Sequence, residues 1–205
     1  MFRILNRRGL LVGGGALGVA WPALAQDDGL VHVLMQTSVG DITLGLDGVK
    51  APITTANFLR YITDKRYDGG TIYRAMRPDQ VIPEGWGLIQ GGSSRTKPRF
   101  PGIAHESTTQ TGILHKAGTI SLARGAPGTA TSDFFLCVGE MKGLDADPMA
   151  QGENLGYAAF GHVIAGMDIV KLIHEMPTKA EAEVEAMKGQ MLEKPVDIKV
   201  AKKVA

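Results

Sequence analysis

Apolar and polar residues alternate with a period of two along much of this chain, a rhythm that predicts strands. Val31, Val33 and Met35 alternate with more polar neighbours, Ser38-Val39-Gly40-Asp41 turns the chain, and Ile42, Leu44 and Leu46 repeat the alternation, so a hairpin is expected. Pro52 then opens a helix: Ile53, Ala56, Leu59 and Ile62 recur at three-residue spacing beside Phe58 until Tyr67-Asp68-Gly69-Gly70 breaks the pattern, which places the helix at about 52–64. Short runs follow closely at Thr71 to Met76, Leu88 to Gln90, Thr119 to Ala123 and Phe134 to Val138, each bounded by Gly, Pro, Ser or Asp. Tyr157 to Ile164 makes a further strand, Met167 to Glu175 a second helix stopped at Pro177, and Val196, Ile198 and Val200 a last strand. Between these, Lys179 to Met191 is charged and Ala-rich with Val184, Met187 and Met191 at helical spacing, and it reads as a solvated surface helix or an ordered loop.

Strands that crowd together without intervening helices argue against a parallel α/β sheet. About eight short strands with one early and one late helix fit a mainly β fold, a closed eight-stranded antiparallel barrel capped by two α-helices, in which closure removes exposed strand edges. Beyond Asp28 there is no long linker, repeat or low-complexity tract, so residues 31–205 form one expected domain after a short segment at 26–30.

The first residues change the picture of where this domain works. Arg3, Arg7 and Arg8 precede an apolar, acid-free run from Gly9 to Trp21, followed by Ala23-Leu24-Ala25, a small-x-small cleavage signature. Residues 1–25 are therefore expected to be a signal peptide for an exported, periplasmic or secreted protein, too short and Gly-rich to be a membrane anchor. Arg7-Arg8-Gly9-Leu10-Leu11 resembles a twin-arginine signal, although Asn6 stands where Ser or Thr is favoured; a general secretory signal fits equally. Gly13-Gly14-Gly15-Ala16-Leu17-Gly18 matches a dinucleotide-binding spacing, but it lies upstream of the cleavage site and Asp41 falls in a hairpin.

The chain carries 44% hydrophobic and 21% charged residues over 205 positions, enough for a sizeable core. Removing residues 1–25 takes the net charge from +1 to about −2, which gives no electrostatic reason to expect nucleic acid. Cys137 is the single cysteine, so it has no disulfide partner within the chain, and it reads as a small buried apolar residue in a strand. No Gly-x-Ser-x-Gly occurs, and Cys137 has no local base, so covalent catalysis is not a leading reading. His32, His105, His115, His162 and His174 are scattered, and His105-Glu106 begins a metalloprotease pattern that fails at Thr109, so no metal site is legible and each histidine reads as a surface or hydrogen-bonding residue.

A set of blocks carries a resemblance instead. Met35 to Ile42, Ala51-Pro52-Ile53-Thr54-Thr55-Ala56-Asn57-Phe58-Leu59, Tyr67-Asp68-Gly69-Gly70-Thr71-Ile72-Tyr73-Arg74 and Leu88-Ile89-Gln90-Gly91-Gly92 are similar, in order, to blocks of the cyclophilin family of peptidyl-prolyl cis/trans isomerases. Gly118-Thr119-Ile120-Ser121-Leu122-Ala123-Arg124, Ala130-Thr131-Ser132-Asp133-Phe134-Phe135 and Tyr157-Ala158-Ala159-Phe160-Gly161-His162-Val163, with Gly166-Met167-Asp168, continue the series. The resemblance implies the same capped barrel, and a cofactor-free, metal-free enzyme that rotates X-Pro bonds of proline-containing polypeptides, assists folding and works as a monomer. It places Arg74 as the catalytic arginine and Gln90 as a holder of the substrate backbone. Phe135 becomes the floor of a proline pocket with Leu88, Leu144 and Tyr157 as walls, while Ala123 and Arg124 offer backbone groups to the residue before proline. For Arg124 a solvated strand-end arginine is the competing reading. Phe134, facing oppositely to Phe135, is expected in the core.

The chain also departs from the family. Arg74 and Gln90 are sixteen positions apart, about twice the family's spacing, because Arg77 to Glu84 lengthens the loop. The family commonly has Phe at Gly87, Gln at Asp133 and Trp at Gly143. Asp133 is expected at the pocket edge, and Trp86 either supplies the missing aromatic wall or sits exposed in the loop. Loss of the Trp implies weak sensitivity to cyclosporin. The alternative function is a non-catalytic or weakly catalytic proline-directed binding module or periplasmic chaperone; a dinucleotide-dependent oxidoreductase is a third reading.

Overall fold

A computed structural model describes residues 29–77, 86–179 and 181–204; the expected signal peptide, its glycine cluster and most of the lengthened loop lie outside these residues. The first hairpin forms as its alternation dictates, with β1 at Val31–Thr37 and β2 at Asp41–Leu46 paired from Val31↔Leu46 to Gln36↔Asp41. Helix α1 follows at Pro52–Thr63, then β3 at Gly70–Met76 and β4 at Leu88–Gly92. A one-turn helix α2 (Thr108–Thr111), absent from the periodicity because it is so short, is held by a capping box in which Ser107 N donates to Gln110 Oε1 at 2.9 Å. Strands β5 (Thr119–Leu122), β6 (Phe134–Cys137) and β7 (Ala158–Ala165) lead to α3 at Met167–Glu175, a two-residue β8 at Thr178–Lys179 and the long β9 at Met191–Lys203.

Every strand pair is antiparallel, the order around the ring is β1-β2-β7-β5-β6-β4-β3-β9, and β9 returns to β1, so eight strands close a barrel to which β8 adds a short outer rung. The inward residues of the alternation, including Met35, Ile42, Leu44, Ile72, Ile120, Phe134, Phe160 and Ile198, are fully buried. Helix α1 packs on β7 and β9 and adds Phe58 and Tyr61 to the core, while α3 packs on β2, β3 and β4 through Val170 and Ile173. Phe134 meets Phe58 and Tyr67 edge-on, at centroid distances of 5.8 and 5.7 Å.

Ala51, at the start of α1, has no capping side chain, and Glu106 supplies the missing acceptor from a distant loop: Ile53 N and Thr54 N donate to its two carboxylate oxygens at 3.1 and 2.7 Å. The acid of the failed metalloprotease pattern is thus a helix cap. Strand β9 begins earlier than Val196 because its register against β3 jumps from Ile72↔Val196 to Arg74↔Met191. Pro195 falls in that jump, where a missing N–H removes no bond to β3. Of the two readings of Lys179 to Met191, the loop holds, with a single 3₁₀ turn at Glu185–Met187.

Candidate active site

The β3–β4 ladder brings the two expected polar residues together despite the sixteen intervening positions, because Arg74 and Gln90 are direct cross-strand partners. Thr71 to Met76 pairs with Leu88 to Gly92 although the chain between them is lengthened. Arg74 Nη1 donates to Gln90 Oε1 at 2.7 Å, and Gln90 Nε2 donates to Tyr73 Oη at 2.8 Å. Gln90 in turn pairs with Phe135 on β6, and Leu88 with Cys137, so β4 carries the polar pair to the edge of an apolar patch.

That patch is a second small core outside the barrel, built on buried Leu88, Phe135, Cys137 and Met141, with Met76, Trp86, Ala123, Leu144 and Tyr157 packed around it. The pair Phe134 and Phe135 divides as adjacent strand residues must, one ring inside the barrel and one in this patch. A cavity of about 150 Å³ opens above it, lined by Arg74, Leu88, Gln90, Ala123, Arg124, Phe135, Leu144 and Tyr157, the eight residues singled out in the sequence, together with Met76 and Met187. Leu144 reaches the wall from the 3₁₀ turn Lys142–Leu144, and its carbonyl accepts Tyr157 N at 2.9 Å, which locks the two walls together. The Tyr157 ring stands edge-on to Phe135 at 5.4 Å. Cys137 is a buried spacer whose thiol is pushed up to about 12 by burial, far from a nucleophile's range.

Arg124 departs from the solvated reading. Its side chain is 4% exposed and is consumed by Glu153 Oε2 at 2.9 Å, by the carbonyl of Gly125 at 2.9 Å and by that of Gly156, with the guanidinium 5.2 Å from the Tyr157 ring. Those bonds fasten the loop carrying Tyr157. Asp133 is not a wall of the cavity: both its oxygens accept Arg99 Nη2 at 3.1 Å, and Tyr73 Oη donates to Oδ2 at 3.4 Å, so it sits behind Tyr73.

Trp86 packs against the apolar patch without lining the cavity. Gly87 has a backbone reason: at φ +128° a Cβ would fall 2.3 Å from Met76 O and 2.4 Å from His174 Nε2. Gly143, by contrast, faces open space, with nothing within 4 Å of a Cβ.

Sequence reasoning missed the residues that hold the site from behind. His115 is fully buried and stacks on Phe135 at 5.7 Å and 17°. Its Nδ1 lies 2.7 Å from Asp145 Oδ1 and its Nε2 3.0 Å from Ser121 Oγ, and burial lowers its pKa. A neutral ring satisfies both contacts, Nδ1–H donating to the carboxylate and Nε2 accepting the hydroxyl. Gln190, in the charged loop, accepts from Arg74 Nε at 2.9 Å and Nη2 at 2.6 Å. No periodic signal marks a polar residue that acts from a loop. Burial lowers the Arg74 pKa and raises that of Tyr73, neither enough to change its charge at neutral pH. Among the described residues no group of three or more His, Cys, Asp or Glu side chains gathers to hold a metal ion, and no helix is long and apolar enough to cross a membrane.

A closed, capped antiparallel barrel with an arginine beside an aromatic-floored slot defines a class of protein, and comparison with known proteins gives the same class. The family model described as cyclophilin type peptidyl-prolyl cis-trans isomerase/CLD matches residues 32–201. The peptidyl-prolyl cis-trans isomerase A of Dickeya dadantii is 36% identical over 151 residues, which cover 72% of this chain and 73% of that one. The peptidyl-prolyl cis-trans isomerase of Acinetobacter baylyi is 34% identical over 178 residues, 85% of each chain. A crystal structure of a Cryptosporidium parvum cyclophilin type isomerase, determined in the presence of the dipeptide Ala-Pro, shares the fold at a TM-score of 0.62 and 19% identity, covering 85% of this chain and 99% of that one. The chain belongs to the cyclophilin-type peptidyl-prolyl cis-trans isomerase family, and its enzyme class is that of the family.

Proposed function

We propose that the 150 Å³ cavity takes the proline ring of a polypeptide and that Arg74 lowers the barrier to rotation about the preceding bond. That barrier, about 18–20 kcal/mol, exists because the nitrogen lone pair is delocalised into the carbonyl. As the bond twists the lone pair returns to nitrogen, and a guanidinium N–H aimed there binds the twisted state better than either planar one. One charge-assisted hydrogen bond contributes about 1.5–3 kcal/mol, on the order of ten- to a hundredfold in rate. The remainder comes from holding one side still: Phe135, Leu88 and Tyr157 grip the ring, Gln90 and the backbone at Ala123 and Arg124 hold the segment before it, and the partly dry slot strengthens each polar contact. The observation that carries this reading is the placement of the Arg74 guanidinium on the wall of the same cavity whose floor is Phe135. The Ala-Pro dipeptide accompanying the Cryptosporidium parvum protein supports a proline-containing ligand.

The protein assists folding of clients outside the cytoplasm in this reading, supported by the arginine-led apolar segment that ends in Ala23-Leu24-Ala25. It works as a monomer, which suits a barrel whose ring is closed by β1 and β9. An NMR-exchange or protease-coupled assay on an X-Pro peptide tests the core of the proposal. Arg74→Ala is expected to lose ten- to a hundredfold in kcat/KM, following the hydrogen-bond estimate of about 1.5–3 kcal/mol, with melting unchanged. Undiminished turnover in that variant removes Arg74 from the mechanism, and binding without turnover in the wild type converts the protein into a proline-directed binding module.

A further inference from the structure

We infer that Gln190 is a positioning residue for Arg74, a part of the isomerase machinery contributed by the loop that leads into β9; the inference rests on the role of Arg74 proposed above. An arginine side chain carries five N–H donors on a group that swings freely about its terminal torsions. Here three of the five are already spoken for: Nε and Nη2 both donate to Gln190 Oε1, at 2.9 and 2.6 Å, and Nη1 donates to Gln90 Oε1 at 2.7 Å. The contact through Nε is the informative one, since an acceptor shared by Nε and Nη2 fixes rotation about the Cδ–Nε bond, which a contact at Nη1 alone leaves looser. The two remaining N–H groups then have one direction in which to point.

Gln190 is itself fixed at both ends. Ala75 N donates to its backbone carbonyl at 2.9 Å, which ties the loop to β3 one residue from Arg74, and its own N–H donates to Met187 O at 3.1 Å. Its side-chain Nε2 donates to Ala186 O at 3.1 Å, so the amide is oriented with its oxygen toward the arginine and its NH₂ away. Chemistry also explains an amide rather than a carboxylate. Gln90 and Gln190 satisfy the guanidinium with neutral oxygens and leave its positive charge uncompensated, whereas a carboxylate at position 190 would form a bidentate ion pair and cancel the field that the twisted nitrogen is meant to meet.

Two variants separate this role from loop stability, each measured on the whole protein with Arg74→Ala as a parallel control. Gln190→Met keeps the length of the side chain and removes the acceptor shared by two guanidinium N–H groups; it is expected to lower kcat about tenfold, with KM for an X-Pro peptide within about twofold and melting unchanged. Gln190→Glu keeps the fork and adds a charge that the guanidinium holds ionised; it is expected to be slow throughout about pH 6–8 while melting no lower than the wild type. Full kcat in a natively melting Gln190→Met, or in a natively melting Gln190→Glu, overturns the inference. If Arg74→Ala is also fully active, the failure belongs to the reading of Arg74; if Arg74→Ala is slow while Gln190→Met is not, it belongs to Gln190 alone.

Discussion

A side chain can be absent from a binding site in two ways, because the backbone forbids it or because nothing has been placed there, and the two glycines at this site illustrate one each. At Gly87 any Cβ meets a carbonyl and an imidazole at under 2.5 Å, so the family's Phe has no place in this chain without moving both the end of β3 and His174 of α3. Gly143 has open space around it, and a tryptophan there is expected to extend the wall formed by Leu144 and Tyr157. Wild-type protein is accordingly expected to bind cyclosporin weakly and Gly143→Trp up to about tenfold more tightly, an aromatic contact's contribution, with peptide turnover altered little. Titration calorimetry on both proteins checks this, and tight inhibition of the wild type contradicts it. Of the eight residues expected from the sequence that line the cavity, seven sit in a strand or block with a recognisable neighbour pattern, and Leu144 sits in a 3₁₀ turn. Gln190 and His115 were not legible in the sequence: one acts from a loop of unremarkable charged composition, the other looks like any scattered histidine until the fold slides it under Phe135.

Helices and strands were legible wherever their own residues bury a face, and illegible where the reason for them lies elsewhere in the chain. The local strand signals gave β1–β7 to within a few residues, the spacing after Pro52 gave α1, and the run Met167 to Glu175 gave α3. The early start of β9 depends on what β3 and β8 offer it, which no local pattern encodes. The cap of α1 is another such case, since Glu106 lies about fifty residues away and is 8% exposed. Glu106→Gln replaces one of its two acceptor oxygens with an amide donor facing a helix N–H, and is expected to destabilise the fold by about 1–3 kcal/mol. A shift in urea midpoint at constant m-value, with kcat/KM unchanged under folding conditions, would confirm a purely structural role; an unchanged midpoint would remove it.

The barrel as a unit has a pH dependence whose sign follows from its buried imidazoles. Burial holds His115 and His174 below their ordinary value of 6.5, so both stay neutral in the folded protein after the unfolded chain has begun to take up protons. The unfolded state then binds more protons, and stability is expected to be full above about pH 6.5 and to fall as pH drops from there through the depressed folded values. Urea midpoints between about pH 7 and 5, above the range in which ordinary carboxylates titrate, measure the slope, and His174→Gln is expected to shallow it. Turnover in the wild type should not follow the same curve, since neither imidazole lines the cavity. The double engagement of β9, on β1 along one edge and on β3 along the other, has a further consequence for how the protein comes into being. During synthesis, everything up to β8 can emerge while the ring still has two raw edges and the guanidinium still lacks its rear support. Activity is therefore gained in a single late event, when the last strand drops into the gap.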